Sequence, residues 1–102
     1  MKREAPIEFI EEVCGVYFRS IVLACKGDRV GQHVHSHDHA TYCGRGSAAL
    51  FVEGKQTAIV VEGCAIPVLA NVSHEFVALE DNTRLTCVHN ADSALSIKER
   101  GL

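Results

Sequence analysis

The sequence predicts an all-β domain, an antiparallel sandwich or barrel built from eight or nine short strands. Three observations carry that expectation. Runs of β-branched and small apolar residues recur between turn residues spaced about 6 to 12 positions apart. No amphipathic helical period appears before the C-terminal tail. The chain has 102 residues, enough for one domain, and no linker or internal repeat divides it. Its hydrophobic share of 47% is ordinary for a domain with a real core, but only 6% is aromatic and tryptophan is absent. Val, Ala, Leu and Ile must therefore fill the interior.

Residues 7–12 alternate imperfectly and suit an edge strand or a single turn. Gly15 marks a bulge or break, and residues 16–25 form a long strand or two strands joined by a bend. Lys26, Gly27 and Asp28 make a turn. After the histidines at 33–39, residues 40–43 continue as strand until Gly44, Arg45 and Gly46 break it. Residues 47–52 and 56–61 flank Glu53, Gly54 and Lys55, the clearest hairpin in the chain. Glu62 and Gly63 turn again. Strands are expected at 64–69, at 73–79 and at 83–89, with a turn at 80–82. Beyond Asn90 the tail suits a short helix or a final edge strand.

Composition excludes some partners. Ten basic and 13 acidic residues give a net charge of −3, and no basic run exceeds two residues, so nucleic acid and anionic lipid are not expected partners. No apolar stretch reaches membrane-span length. The N-terminus runs into Glu8, Glu11 and Glu12 rather than an apolar core, which argues against a signal peptide and for a cytoplasmic protein. The five cysteines, at 14, 25, 43, 64 and 87, form no CxxC pair. Buried, reduced thiols in strands are the expectation.

Chemistry concentrates in one segment. His33, His35, His37 and His39 occupy every second position, so on a single extended strand they would share one face. Buried imidazoles need polar partners, and imidazole is a common ligand of transition metals. The alternative is a solvated polyhistidine loop, and a further ligand arriving from elsewhere decides between the two. His74, about 35 residues beyond His39 and at the start of a predicted strand, is the candidate.

With that residue the sequence resembles the cupin family. The family's first motif, G-x5-H-x-H-x3,4-E-x6-G, is met by Gly27, His33, His35, His39 and Gly46, with His39 standing where glutamate is usual. The second, G-x5-P-x-G-x2-H-x3-N, is met at Gly63 and His74, while Leu69, Asn71 and Ala78 stand for the proline, glycine and asparagine. The resemblance covers motifs at 27–46 and 63–78 within a single domain, residues 1–102. It implies a double-stranded β-helix, the jelly-roll barrel, with a divalent metal in its mouth. Carried over by position, His33, His35 and His74 are metal ligands, and His39 takes the fourth place.

Imidazole in place of glutamate leaves the metal's two positive charges unneutralised, which favours an anionic or enolate-forming small-molecule ligand. The donor set suits one divalent transition metal: iron, nickel, zinc, copper or manganese. Four same-face histidines on one straight strand would span roughly 20 Å, too far for one ion, so the chain must bend at 36–38. His37 is then exposed or outside the ligand set, and Asp38 is free to orient a ligand imidazole. Thr41 and Cys43 share parity with His39, and Phe76 with His74. They are candidate walls of the ligand cavity or plain core residues. His89 reads as a surface or hydrogen-bonded histidine.

Three functions follow from the resemblance. The first is a non-haem iron(II) dioxygenase acting on a small dicarbonyl, thiol or aromatic substrate. The second is a metal-dependent isomerase or lyase, weakened because no general base stands out near the ligands. The third is a metal-dependent binding or sensing module without catalysis. An exposed sheet edge predicts a homodimer through residues 7–25.

Overall fold

The computed structural model describes residues 7–33 and 38–90. Within them the chain forms nine strands: β1 (Ile7–Val13), β2 (Val16–Leu23), β3 (Arg29–His33), β4 (His39–Arg45), β5 (Ser47–Val52), β6 (Lys55–Val61), β7 (Ala65–Val68), β8 (His74–Ala78) and β9 (Thr83–Asn90). Every strand pairing is antiparallel. One sheet has the order β1-β2-β9-β4-β7 and the other β3-β8-β5-β6. No helix among the described residues is long and apolar enough to cross a membrane. The predicted tail beyond Asn90 lies outside the described residues.

Turn chemistry sets the hairpins. Cys14 and Gly15 have φ of 51° and 76°, and Glu53 and Gly54 have 52° and 83°. Positive φ at both central residues is the geometry that matches the right-handed twist of flanking strands. The first turn joins β1 to β2 and the second joins β5 to β6. Gly15 is thus half of a tight turn rather than a bulge.

Three strands depart from the expected pattern. β3 begins at Arg29, ahead of the histidine segment, and pairs with β8 at Arg29, Val30 and His33, with a register shift that passes over Gly31 and Gln32. β4 runs through Gly44 and Arg45, because a register shift against β9 between Cys43 and Arg45 absorbs the irregularity. The break comes only at Gly46. β2 ends at Leu23 rather than at residue 25.

The two sheets enclose a core of Ile21, Leu23, Cys43, Ala48, Leu50, Val60, Val68, Phe76, Ala78 and Leu85. Alternation is cleanest on β4 and β8, where inward and outward residues strictly alternate through His39, Thr41, Cys43 and His74, Phe76, Ala78. Period-2 geometry then aims each inward series between the sheets.

The thiols correct the compositional expectation. Cys14, Cys25 and Cys64 are exposed, Cys87 is half-buried, and only Cys43 is fully buried; all five are free. Cys14 and Cys25 stand in turns rather than strands, where burial is not on offer.

Candidate metal centre

The histidine segment does not run along one strand. β3 ends at His33 in one sheet, and β4 begins at His39 in the other. The chain therefore changes sheet between His33 and His39; residues 36 and 37 of the bend expected at 36–38 lie outside the described residues. His33 pairs in register with His74 on β8, so the first and last of the motif histidines are cross-strand neighbours. The side chain of His33, and all of His35 and His37, lie outside the described residues.

His39 and His74 reach the interior from opposite sheets. Their ring centroids stand 5.5 Å apart at an interplanar angle of 57°. His39 is 8% exposed and His74 4%. Phe76, one inward position below His74, meets its ring edge-on at 6.4 Å. The Nδ1 of His74 lies 3.5 Å from the Val72 carbonyl, a long contact that favours the tautomer with the proton on Nδ1 and the lone pair on Nε2. The Nε2 of His39 is itself sealed from solvent. Burial, ahead of the Val72 contact, pushes the His74 pKa below its ordinary value, with the Arg19 charge adding to the shift. A buried imidazole held neutral is the form that binds a metal.

The pair fits a shared transition metal. With metal–nitrogen bonds of about 2.0–2.1 Å and the ring centre about 1.1 Å beyond, two imidazoles at a tetrahedral angle have centroids about 5 Å apart. The observed 5.5 Å is close to that spacing. Two all-nitrogen donors suit zinc, copper, nickel or iron over magnesium or calcium. Among the described residues, no group of three or more His, Cys, Asp or Glu side chains is arranged to hold an ion, so the described part of the centre is this pair.

The neighbours take other roles than some of those expected. Asp38 turns its Oδ1 to the Ala70 amide, which donates at 2.7 Å, so it pins the loop between β7 and β8. Glu53 holds the other end of that loop: Ser73 N donates to its Oε2 at 2.8 Å, and Glu53 N donates to Ser73 O at 2.8 Å. Thr41 is fully buried with its hydroxyl 3.5 Å from Cys87 Sγ. Cys43 lies deeper, its thiol directed at the Arg45 and Gly46 carbonyls at 3.3 and 3.4 Å. Burial raises the Cys43 pKa above its ordinary value. Cys43 and Phe76 are thus core residues beneath the histidine pair, and neither they nor Thr41 line the large cavity nearby.

That cavity has a volume of about 380 Å³ and lies beside β6 and β7, one edge strand from each sheet. Its walls include Leu50, Val52, Ala58, Ile66 and Val68. Val52 is the register partner of His74, and Val68 that of His39.

Sequence reasoning also missed Arg19. It shares inward parity with Tyr17 and Ile21 on β2, and its guanidinium grips Glu8 of β1 by two bonds, Nε to Oε1 at 2.8 Å and a terminal nitrogen to Oε2 at 3.0 Å. The bond to Glu8, ahead of all else, raises the Arg19 pKa. A lone arginine amid the apolar residues 16–23 was the available signal. His89 stacks on buried Tyr17 at 4.6 Å, with its Nδ1 3.2 Å from the Asn90 carbonyl, in keeping with a hydrogen-bonded histidine.

No family model matches the sequence, and no curated protein matches it. Solved structures do. The chain is similar to KdgF from Halomonas sp. at 19% identity and a TM-score of 0.69, over 85% of this chain and 79% of that one. It is similar to an RmlC-like cupin family protein with a double-stranded β-helix fold from Methanocaldococcus jannaschii, at 18% identity and a TM-score of 0.66, covering 82% and 80%. A cupin domain from Bordetella pertussis matches at 18% identity and a TM-score of 0.68, over 91% of this chain and 99% of that one. At these identities the likeness speaks to the fold. Two four- and five-stranded antiparallel sheets closing on a buried histidine pair, with these neighbours, identify the chain's fold as the double-stranded β-helix of the cupins.

Proposed function

We propose that this chain is a small metal-binding cupin of small-molecule metabolism, which holds one divalent transition metal between its sheets. The observation that carries the proposal is the meeting of His39 and His74 from opposite sheets, buried, at metal-sharing distance. His33 and His35 complete the proposed ligand set from the first motif. His33 is supported by its register opposite His74.

The reaction proposed first is that of a non-haem iron(II) dioxygenase on a small dicarbonyl, thiol or aromatic substrate. A bound iron(II) would supply oxygen activation, and the chain's own residues bind, orient and exclude water. That division of labour suits four carboxylates among the described residues, which are engaged elsewhere. Asp38 and Glu53 hold the loop, Glu8 pairs Arg19, and Glu75 turns out to Arg29 at 3.3 Å. An isomerase or lyase would want one of them free as a base. A binding module without catalysis is the reading that remains if no turnover is found. Protein purified without a histidine tag from the cytoplasm, where it is expected to act, should carry a transition metal by mass spectrometry. Iron-loaded protein should consume oxygen with a member of a dicarbonyl and thiol panel. A metal-free preparation that also refuses added iron and zinc would sink the proposal.

The protein is proposed to act as a homodimer through residues 7–25. β1 is a sheet edge, and Phe9, Ile10 and Val13 on it are exposed. Phe9 also shares the outer face of its sheet with Val16 and Phe18 by register. An edge strand with exposed apolar side chains is a ready surface for a second copy. Light scattering at micromolar concentration should return twice the 11.1 kDa chain mass; a monomer there removes the idea.

A further inference from the structure

A half-open pocket of about 380 Å³ is large for a chain of 102 residues, and ligand pockets begin at about 300 Å³. Its lining is almost wholly hydrocarbon. Leu50 and Val52 come from β5, Ala58 from β6, Ile66 and Val68 from β7, and Val72 from the loop above. The single polar side chain in the wall is Thr57, and its hydroxyl already donates to the Leu50 carbonyl at 3.4 Å. Leu69 stands at the rim, a large apolar side chain 60% exposed.

We propose that this cavity binds a compact apolar body, a single aromatic ring or a short branched alkyl group, and excludes polyhydroxylated molecules such as sugars. Each hydroxyl buried here without a partner loses its hydrogen bonds to water, and the walls offer almost none in return. An aromatic or alkyl group meets no such penalty, since even an apolar cavity of about 150 Å³ accepts benzene. The position gives the cavity its use. Two of its walls, Val52 and Val68, are the strand partners of His74 and His39, which puts the cavity beside the histidine pair. The loop of residues 69–73, pinned by Asp38 and Glu53, roofs it as a fixed wall. As the substrate class of the proposed metal site this rests on that reading. As a binding cavity it stands without it.

The test uses indole as the apolar probe and glucose as the polyhydroxylated one, added to chelator-treated protein with labelled methyl groups. Indole should give nuclear Overhauser contacts to the methyls of Leu50, Val52, Ile66 and Val68, and glucose none. Ala58→Phe fills the cavity and should lower indole affinity about tenfold or more. In case that variant fails to fold, Leu69→Ser at the exposed rim should lower it about threefold or more through lost apolar contact. No indole contacts at those methyls, contacts unchanged in both variants, or glucose binding there more tightly than indole would each overturn the proposal. Zinc titration of the same samples separates the two readings. Indole in the cavity of a protein that takes no zinc supports the cavity and removes the metal, and zinc without indole does the reverse.

Discussion

Replacing His74 by alanine is expected to lower zinc affinity by more than about 100-fold, or some 2.8 kcal/mol. Loss of partners that merely orient a ligand already weakens metal binding about 10- to 100-fold, and loss of a ligand removes a bond outright. His74 is the proposed ligand with the firmest setting: 4% exposed, backed by Phe76, opposite His33 in register and 5.5 Å from His39. Burial already holds its imidazole neutral, so the site needs little proton release to accept the ion. His37→Ala, by contrast, should leave zinc affinity nearly unchanged. Titration against a competing chelator reads both, with circular dichroism to establish that each variant keeps its sheets. Equal losses in the two variants would show that the ligand assignment is wrong, whatever the fold does. An unchanged affinity in His74→Ala would show that the buried pair serves packing alone.

The strands were legible because their signals are local. Positive-φ turns at Cys14–Gly15 and Glu53–Gly54 fall where glycine offered them, and the apolar runs between them became strands. β3 was not legible, because it is an irregular strand: it pairs with β8 at Arg29, Val30 and His33, and Gly31 and Gln32 fall in the register shift between them. The site was half legible for a similar reason. Parity along one strand placed all four histidines on a common face, but parity holds only while the chain stays in one sheet. Between His33 and His39 it changes sheets, so alternation could not say which imidazoles converge. The spacing from Gly63 to His74 pointed to a residue that the structure brings within 5.5 Å of His39, because a register, once set by β7 and its loop, is a count of residues. The cavity had no sequence signal at all. Its walls come from residues 50–52, 57–58, 66–69 and 72, each of which reads as ordinary core. Only the fold, which brings them together beside β6 and β7, makes them a pocket.

Gly46→Ala is expected to be the most damaging small substitution in the described fold, destabilising it by about 2–4 kcal/mol. Gly46 sits at φ +79°, where a Cβ costs on the order of 1 kcal/mol by itself. The larger share comes from contact. A Cβ at this position would collide with the Thr83 hydroxyl and stand 3.0 Å from Thr83 Cα, which is backbone and cannot swing aside. Thr83 is fully buried, and its Oγ1 lies 3.0 Å from the Glu80 carbonyl and 3.4 Å from the Ser47 amide, so displacing it also loosens the start of β5 and β9. Overpacking of this kind costs about 1–3 kcal/mol. In a domain of this size each kcal/mol moves the melting temperature by about 4–8 °C, so a fall of about 8–32 °C is expected. Gly54→Ala is the control. Gly54 has a similar φ of +83° but nothing within 4 Å of a built Cβ, so it should show the conformational part alone, about 1 kcal/mol. Equal melting shifts in the two variants would mean that the Thr83 contact carries no weight. The position matters beyond stability, because at Gly46 the chain leaves the sheet that carries His39 and enters the one that carries His74. A strained crossing there disturbs the one relation between the sheets on which the histidine pair depends.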